Sequence, residues 1–305
     1  MAERAKPVAL AALTGILLVA TFPAPNLTYL APLALAPLLL ALSFEPSPGW
    51  RFLLGCVSGW IFWGGVCYWI YWVLNVHGHI PAPGAAALFT GFFLVKGLHL
   101  GAFAWLAGRG LDHPWAIPAV AAAWVAIEGT HPYAGFTWLM LGNAAAGMAV
   151  LARLAPWTGV AGISFVLAMM NVAVALAVAG RPRKHLAWLL AVPLLYFLPK
   201  LPDAAATTHS ARLVQPDILE EEIYAGSWDQ DRARKVLDQL SALSSAKSPA
   251  ERPGLIIWPE NPAPLYFYND PLFRSYTQEI AQKQNAYLLF GTVAFRDREA
   301  RQPLN

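Results

Sequence analysis

The chain has 305 residues, of which 57% are hydrophobic and only 13% charged, against about a quarter charged in ordinary soluble domains. Residues 1–200 hold ten Lys/Arg and four Asp/Glu, whereas residues 201–305 hold eleven and fourteen, so the formal net charge of +3 averages two unlike regions. No basic stripe or tract points to nucleic acid, and Cys56 and Cys67 sit in apolar surroundings without metal-site spacing, as buried thiols would.

A helix needs about twenty mostly apolar residues to cross a bilayer core. Seven stretches approach that length, at roughly 7–22, 27–44, 52–74, 85–107, 114–131, 151–179 and 186–201. The first follows Arg4 and Lys6 and reads as an uncleaved first span, because further spans follow. The first two are short and joined by Phe22-Pro23-Ala24-Pro25-Asn26, the pattern of a tight hairpin or of a tilted pair that thins the bilayer locally. Alternate connections sort by charge. One set holds Arg4, Lys6, Arg51, Arg109, Arg181, Arg183 and Lys184; the other (Pro23–Asn26, Asn75–Pro83 and His131–Val150) holds no Lys or Arg. Basic residues mark the cytoplasmic side. The N-terminus is therefore expected inside, and seven crossings put everything after about 201 on the extracytoplasmic face of a bacterial inner membrane.

On the outer side, Tyr68-Trp69-Ile70-Tyr71-Trp72 reads as an interfacial aromatic belt or the mouth of a lipid site. His77 and His79 would share a face on a strand, but two histidines without a third ligand make a poor metal site. No metal is expected. Lys96 and Glu128 fall inside spans, where charge is expensive and often functional. Lys96 is near mid-span with His99 a turn later, and Glu128 is near an outer end. Their depths differ, so no ion pair between them is expected, and Glu128 is open to facing outer water.

After the linker at 202–210 the pattern changes to short strands and amphipathic helices. Ala211–Gln215, Leu255–Trp258 and Ala286–Phe295 read as strands. Asp229–Ser245 reads as a helix with Val236, Leu237, Leu240 and Leu243 on one side. Pro271–Gln284 reads as a second, with Asp270 as N-cap. The order βαβαβ, with strands buried on both faces, is that of a layered α/β domain. Pro259 ends the second strand and leaves Glu260 at its C-terminal lip, where such layers collect ligands and catalytic groups.

These pieces resemble apolipoprotein N-acyltransferases, of the nitrilase superfamily. Phe22-Pro23 through Ala31-Pro32-Leu33 is similar to the family's first hairpin, and Tyr68-Trp69-Ile70-Tyr71 with the following His-Gly-His-Ile-Pro to its aromatic outer loop. Glu128-Gly129 and Gly135-Phe136-Thr137-Trp138-Leu139 resemble its Glu-Trp-x-Arg and Gly-Phe-Pro-Trp segments, with Thr130 and Thr137 as departures. Gly159-Val160-Ala161-Gly162-Ile163-Ser164-Phe165, leading to Asn171, resembles its Gly-x-x-Gly-x-Ser-Phe helix. Leu213-Val214-Gln215-Pro216, Trp228-Asp229 and Ile257-Trp258-Pro259-Glu260 resemble its outer domain.

The resemblance implies a polytopic helical membrane domain followed by part of a nitrilase-like αββα sandwich. It implies Glu–Lys–Cys chemistry in which Glu260 is the general base, a Cys takes an acyl chain from a membrane phospholipid as a thioester, and a Lys stabilises the oxyanion. The acyl chain then passes to the α-amine of an apolipoprotein's diacylglyceryl-cysteine. No cofactor is implied, and the protein is expected to be a monomer. Trp228, Trp138 and Trp258 are candidate substrate contacts. The family's Lys, Cys and final span match no residue here. Lys283 falls in a helix, Cys56 and Cys67 in a span, so the chain by itself is expected to be inactive. Alternatives are a non-catalytic lipid-binding or scaffold remnant and a transporter built around Lys96 and Glu128, which lacks repeats. A small-substrate amidase gives no reason for the spans.

Overall fold

The chain folds as two units, Met1–Pro202 and Asp203–Asn305. The computed structural model describes residues 2–134, 138–200, 209–218, 230–246, 253–260, 262–263, 265–292, 295–297 and 302–303. The first unit is helical: α1 Ala2–Thr21, α2 Ala36–Phe44, α3 Pro48–Val66, α4 Trp69–Trp72, α5 Ala82–Gly110, α6 Ala116–Glu128, α7 Ala149–Ala152 and α8 Ala155–Val178.

Among the described residues, three helices are long and apolar enough to cross a membrane: α1, α5 and α8. A fourth is gained by counting α3 with Trp69–His77, a pair bent by 54°. The other expected spans are shorter as helices than as apolar sequence. In 27–44, a 3-10 turn at Thr28–Leu30 precedes the nine-residue α2, which starts with Pro37 in its first turn. In 114–131, α6 has 13 residues, only about 20 Å of rise. In 186–201, 3-10 segments Arg183–Ala191 and Pro193–Phe197 replace an α-helix; Pro193 has no N–H to continue the first.

Two devices hold this unit together. One is close approach at glycine. Gly55 and Gly59 on α3 face Gly97 and Gly101 on α5; a Cβ on Gly59 would lie 2.7 Å from Gly97 Cα, and one on Gly55 2.2 Å from Leu100 O. Such small-residue seams let backbones meet where no hydrophobic effect drives helices together. The other is polar side chains tied to backbone. Asn171 on α8 accepts from Leu35 N (2.7 Å) and Ala36 N (3.1 Å) and donates to Ala31 O and Leu167 O, both at 2.8 Å. Thr14 on α1 accepts from Leu38 N at 2.9 Å, and Ser58 on α3 donates to Ala11 O at 2.7 Å.

In the second unit, β1 Ala211–Leu213, β2 Leu255–Ile257 and β3 Tyr287–Leu289 form a parallel sheet in the order β1-β2-β3. The helices α9 Gln230–Ser245 and α10 Pro271–Gln284 pack on it through Leu237, Leu240, Phe273 and Ile280. Asp270 caps α10, accepting from Phe273 N at 3.0 Å. Tyr276 donates to Asp238 at 2.6 Å and so joins the two helices; losing that proton beside a carboxylate is unfavourable, which raises the phenol pKa.

Two expectations change here. The strands are not buried on both faces: Ile256 is buried, whereas Leu213, Tyr287 and Leu289 are exposed, because the described helices cover only one face. The third strand also stops early, at Leu289. Phe295–Asp297 (β4) instead pairs antiparallel with Gln302–Pro303 (β5). Leu243, expected on the apolar side of its helix, is 36% exposed, and Ser244 is buried in its stead.

Gly59→Leu drives a side chain into the α5 backbone and is expected to destabilise the detergent-solubilised protein by about 1–3 kcal/mol. Gly91→Leu, on α5 with nothing within 4 Å of its Cβ position, is expected to stay within about 0.5 kcal/mol. Thermal unfolding of both variants checks the difference.

Candidate active site

The Glu260 corner is built on the central strand. Val214 N donates to Ile257 O and Trp258 N to Leu289 O, each at 2.9 Å, so the parallel ladder runs one residue past β2. Pro259, with no N–H, ends it. Trp258 turns inward: it is 4% exposed, donates Nε1–H to Ser244 Oγ at 2.8 Å and packs on Phe273 and Phe290. Ser244 O in turn accepts from the Arg212 guanidinium. Strand β1, helix α9 and the corner are thereby joined through one serine.

Glu260 follows this anchor and is exposed. Its backbone is fixed from a second side, because Gly291, two residues past β3, lies so close that a Cβ there would be 1.7 Å from Glu260 O. Thr292 Oγ1 accepts from Phe267 N at 3.2 Å, which draws the segment after the corner onto the same lip. An exposed carboxylate on a rigid strand end can accept a proton from a group brought within hydrogen-bond reach. Sequence reasoning missed Gly291; its one visible signal was a glycine inside the expected strand Ala286–Phe295, a mark of close backbone approach.

The other expected site residues have different surroundings among the described residues. Trp258 is a core residue with its indole engaged, so it presents no surface to a substrate. Trp228 lies outside the described residues. Trp138 belongs to the membrane unit, where it is 60% exposed at the rim of a cavity of about 560 Å³.

In that unit Glu128 does not face water. It is 3% exposed, and Oε1 accepts from Trp124 Nε1 (2.8 Å) and Leu141 N (2.6 Å). Ser164, whose hydroxyl accepts from Gly142 N at 2.8 Å, lies by the same carboxylate. Glu128 and Ser164 thus pin the loop after Trp138 to α6 and α8. Lys96 is buried with Nζ 4.5 Å from the Trp63 ring centroid. His99 and Trp63 both pack edge-on against His131, at 5.2 and 5.4 Å. Among the described residues no ion pair joins Lys96 to Glu128, and no cluster of three or more His, Cys, Asp or Glu could hold a metal. His77 ends a π-helical turn and His79 has φ +51°, so they do not form the shared strand face of a metal pair. Cys56 and Cys67 are buried free thiols. Arg153, at the start of the apolar stretch 151–179, is a buried anchor that donates to Tyr196 O at 2.6 Å.

The N-terminal-domain model of apolipoprotein N-acyltransferases matches residues 14–173, just over half the chain. Proteins named apolipoprotein N-acyltransferase are similar along nearly all of it. The one from Geobacter metallireducens is 29% identical over 97% of this chain and 59% of its own length. That from Chlorobaculum tepidum is 30% identical over 94% and 55%, and one from Pseudomonas aeruginosa 31% over 89% and 56%. The chain therefore spans less than two thirds of the length of these relatives.

Gly291→Ala is expected to displace the Glu260 corner and destabilise the second unit by about 1–3 kcal/mol. Gly254→Ala, with nothing within 4 Å of its Cβ position, is the matched control and should leave the denaturation midpoint unchanged.

Proposed function

This chain belongs to the apolipoprotein N-acyltransferase family, and we propose that the full protein moves an acyl chain from a membrane phospholipid to the α-amine of a lipoprotein's diacylglyceryl-cysteine. Glu260 is the general base: it takes the proton of a Cys thiol, and the thiolate attacks the ester carbonyl. The C–O bond breaks, the lysophospholipid alcohol leaves with a proton, and a thioester remains. The amine then attacks the thioester, forming an amide and restoring the thiol. A Lys beside the carbonyl stabilises both tetrahedral oxyanions. That Cys and Lys match no residue of this chain; Cys56 and Cys67 are buried among membrane-unit helices.

The observation that carries this reading is the exposed Glu260 on a braced strand lip, in a chain whose other unit is apolar enough for a bilayer. The seven basic residues on one set of connections support a cytoplasmic N-terminus, seven crossings of a bacterial inner membrane and an extracytoplasmic second unit. Some crossings are then short α-helices completed by turns or 3-10 segments. The donor is at hand in the membrane, the acceptor is a lipoprotein, and a monomer suffices.

In the full-length protein, Glu260→Gln should lower acyl transfer from phospholipid to a diacylated lipopeptide by about 10²–10⁴-fold, with thermal stability unchanged because the side chain is exposed. The 305-residue chain alone should show no turnover. Wild-type rates for Glu260→Gln, or turnover by this chain, contradict the assignment.

A further inference from the structure

The cavity beside Trp138 has walls from two parts of the membrane unit: the turn after α1, including Phe22, Asn26 and Thr28, and the loop Trp138–Gly147. Its volume of about 560 Å³ falls in the range of small-molecule sites. Both walls are fixed. The turn is closed by Asn26 N donating to Phe22 O (2.9 Å) and Leu27 N to Ala20 O (2.8 Å). The loop is pinned by the Glu128 and Ser164 bonds to Leu141 N and Gly142 N, and by Asn143 Oδ1 accepting from Met140 N at 3.0 Å. Each wall holds a non-glycine residue at positive φ, Asn26 at 53° and Leu139 at 67°. For leucine this is a costly conformation, of the kind that clusters at ligand clamps.

The lining states what fits. None of the described residues that line it carries a charge, so a phosphate or carboxylate buried among them would lack a cation and lose its hydration. Phe22, Leu139 and Ala144 supply apolar wall, and Asn26, Thr28 and Asn143 supply amide and hydroxyl groups. A neutral group rich in acceptors and attached to hydrocarbon matches both. The depth agrees: Tyr29, Tyr133, Trp138 and Trp157 are all exposed at this end of the unit, as in the aromatic belts at bilayer interfaces. Ester linkages lie at that level, below the charged headgroups.

We propose that this cavity is a binding site for the glycerol-ester region of a diacyl lipid, with the ester oxygens among Asn26, Thr28 and Asn143 and any headgroup charge left outside. Two sources share that chemistry: bilayer phospholipid and, if the acyltransferase reading holds, the diacylglyceryl group of the acceptor.

The test uses full-length protein in dodecyl maltoside micelles, which hold no glycerol ester, with a trace of diacylglycerol bearing a diazirine next to the ester. Photolabel is expected on Thr21–Thr28 and Trp138–Gly147. Gly147→Phe fills the cavity from a position with nothing within 4 Å of its Cβ, and should lower that label by about tenfold. Gly91→Phe, equally open but on α5, should leave it unchanged. Competition by added phosphatidylglycerol assigns the site to bilayer lipid, and competition only by a diacylglyceryl-cysteine peptide assigns it to the acceptor; either supports it. Label spread evenly over α5, label insensitive to Gly147→Phe, or competition by neither lipid overturns it. Acyl transfer is read separately in Glu260→Gln, so loss of the enzymatic reading and loss of this site give different results.

Discussion

Asn171 makes the interaction on which the membrane unit depends. In lipid no water is present to pair with backbone N–H and C=O groups, so a helix that starts inside the bilayer must find partners in the protein. The nine-residue α2 starts with Leu35, Ala36 and Leu38 buried inside the helical unit. Its first turn has three N–H groups to satisfy, since Pro37 has none. Asn171 takes Leu35 N and shares Ala36 N with Leu33 O, and Thr14 takes Leu38 N. The same asparagine donates to Ala31 O on the turn leading in. Helices α1 and α8 therefore supply the caps that a longer α2 would have made within itself.

This arrangement places the walls of the unit's cavity. With α2 shortened, residues 22–35 are available as a turn rather than as helix, and that turn forms one wall of the cavity beside Trp138. Glu128 at the C-terminal end of α6 and Ser164 on α8 repeat the principle, a buried carboxylate and hydroxyl that hold the facing loop through its N–H groups. Polar residues in the apolar unit, with the Arg153 anchor on Tyr196 and Leu198, thus work mainly on backbone. Lys96 differs, lying over an indole where cation–π attraction offsets part of its desolvation. In the second unit one serine plays a comparable part, with Trp258 and Arg212 meeting at Ser244 beside the strand end that presents Glu260.

What was legible in the sequence follows from which forces are local. Asp270 announced the start of α10, and the apolar run before Pro259 announced β2, because caps and strand breakers act over a few residues. Hydropathy marked the membrane unit. Helix lengths within it were not legible: the stretch 27–44 is apolar throughout, yet its first half is turn, and the partner that permits this lies more than a hundred residues away at Asn171. Glu128 as a loop anchor and Gly291 as the brace behind Glu260 were hidden for the same reason, each defined by a neighbour distant in sequence. Trp258 misled because an aromatic beside a candidate base reads equally as substrate contact or as core, and only its burial separates the two.

Amide hydrogen exchange at Leu35, Ala36 and Leu38, in full-length protein in nanodiscs, tests most directly whether side chains replace the missing turn of α2. Protection comparable to the middle of α8 is the predicted result, with loss at Leu35 but not at Leu38 when Asn171 is replaced by Leu. Fast exchange at these three amides in the unaltered protein would contradict it.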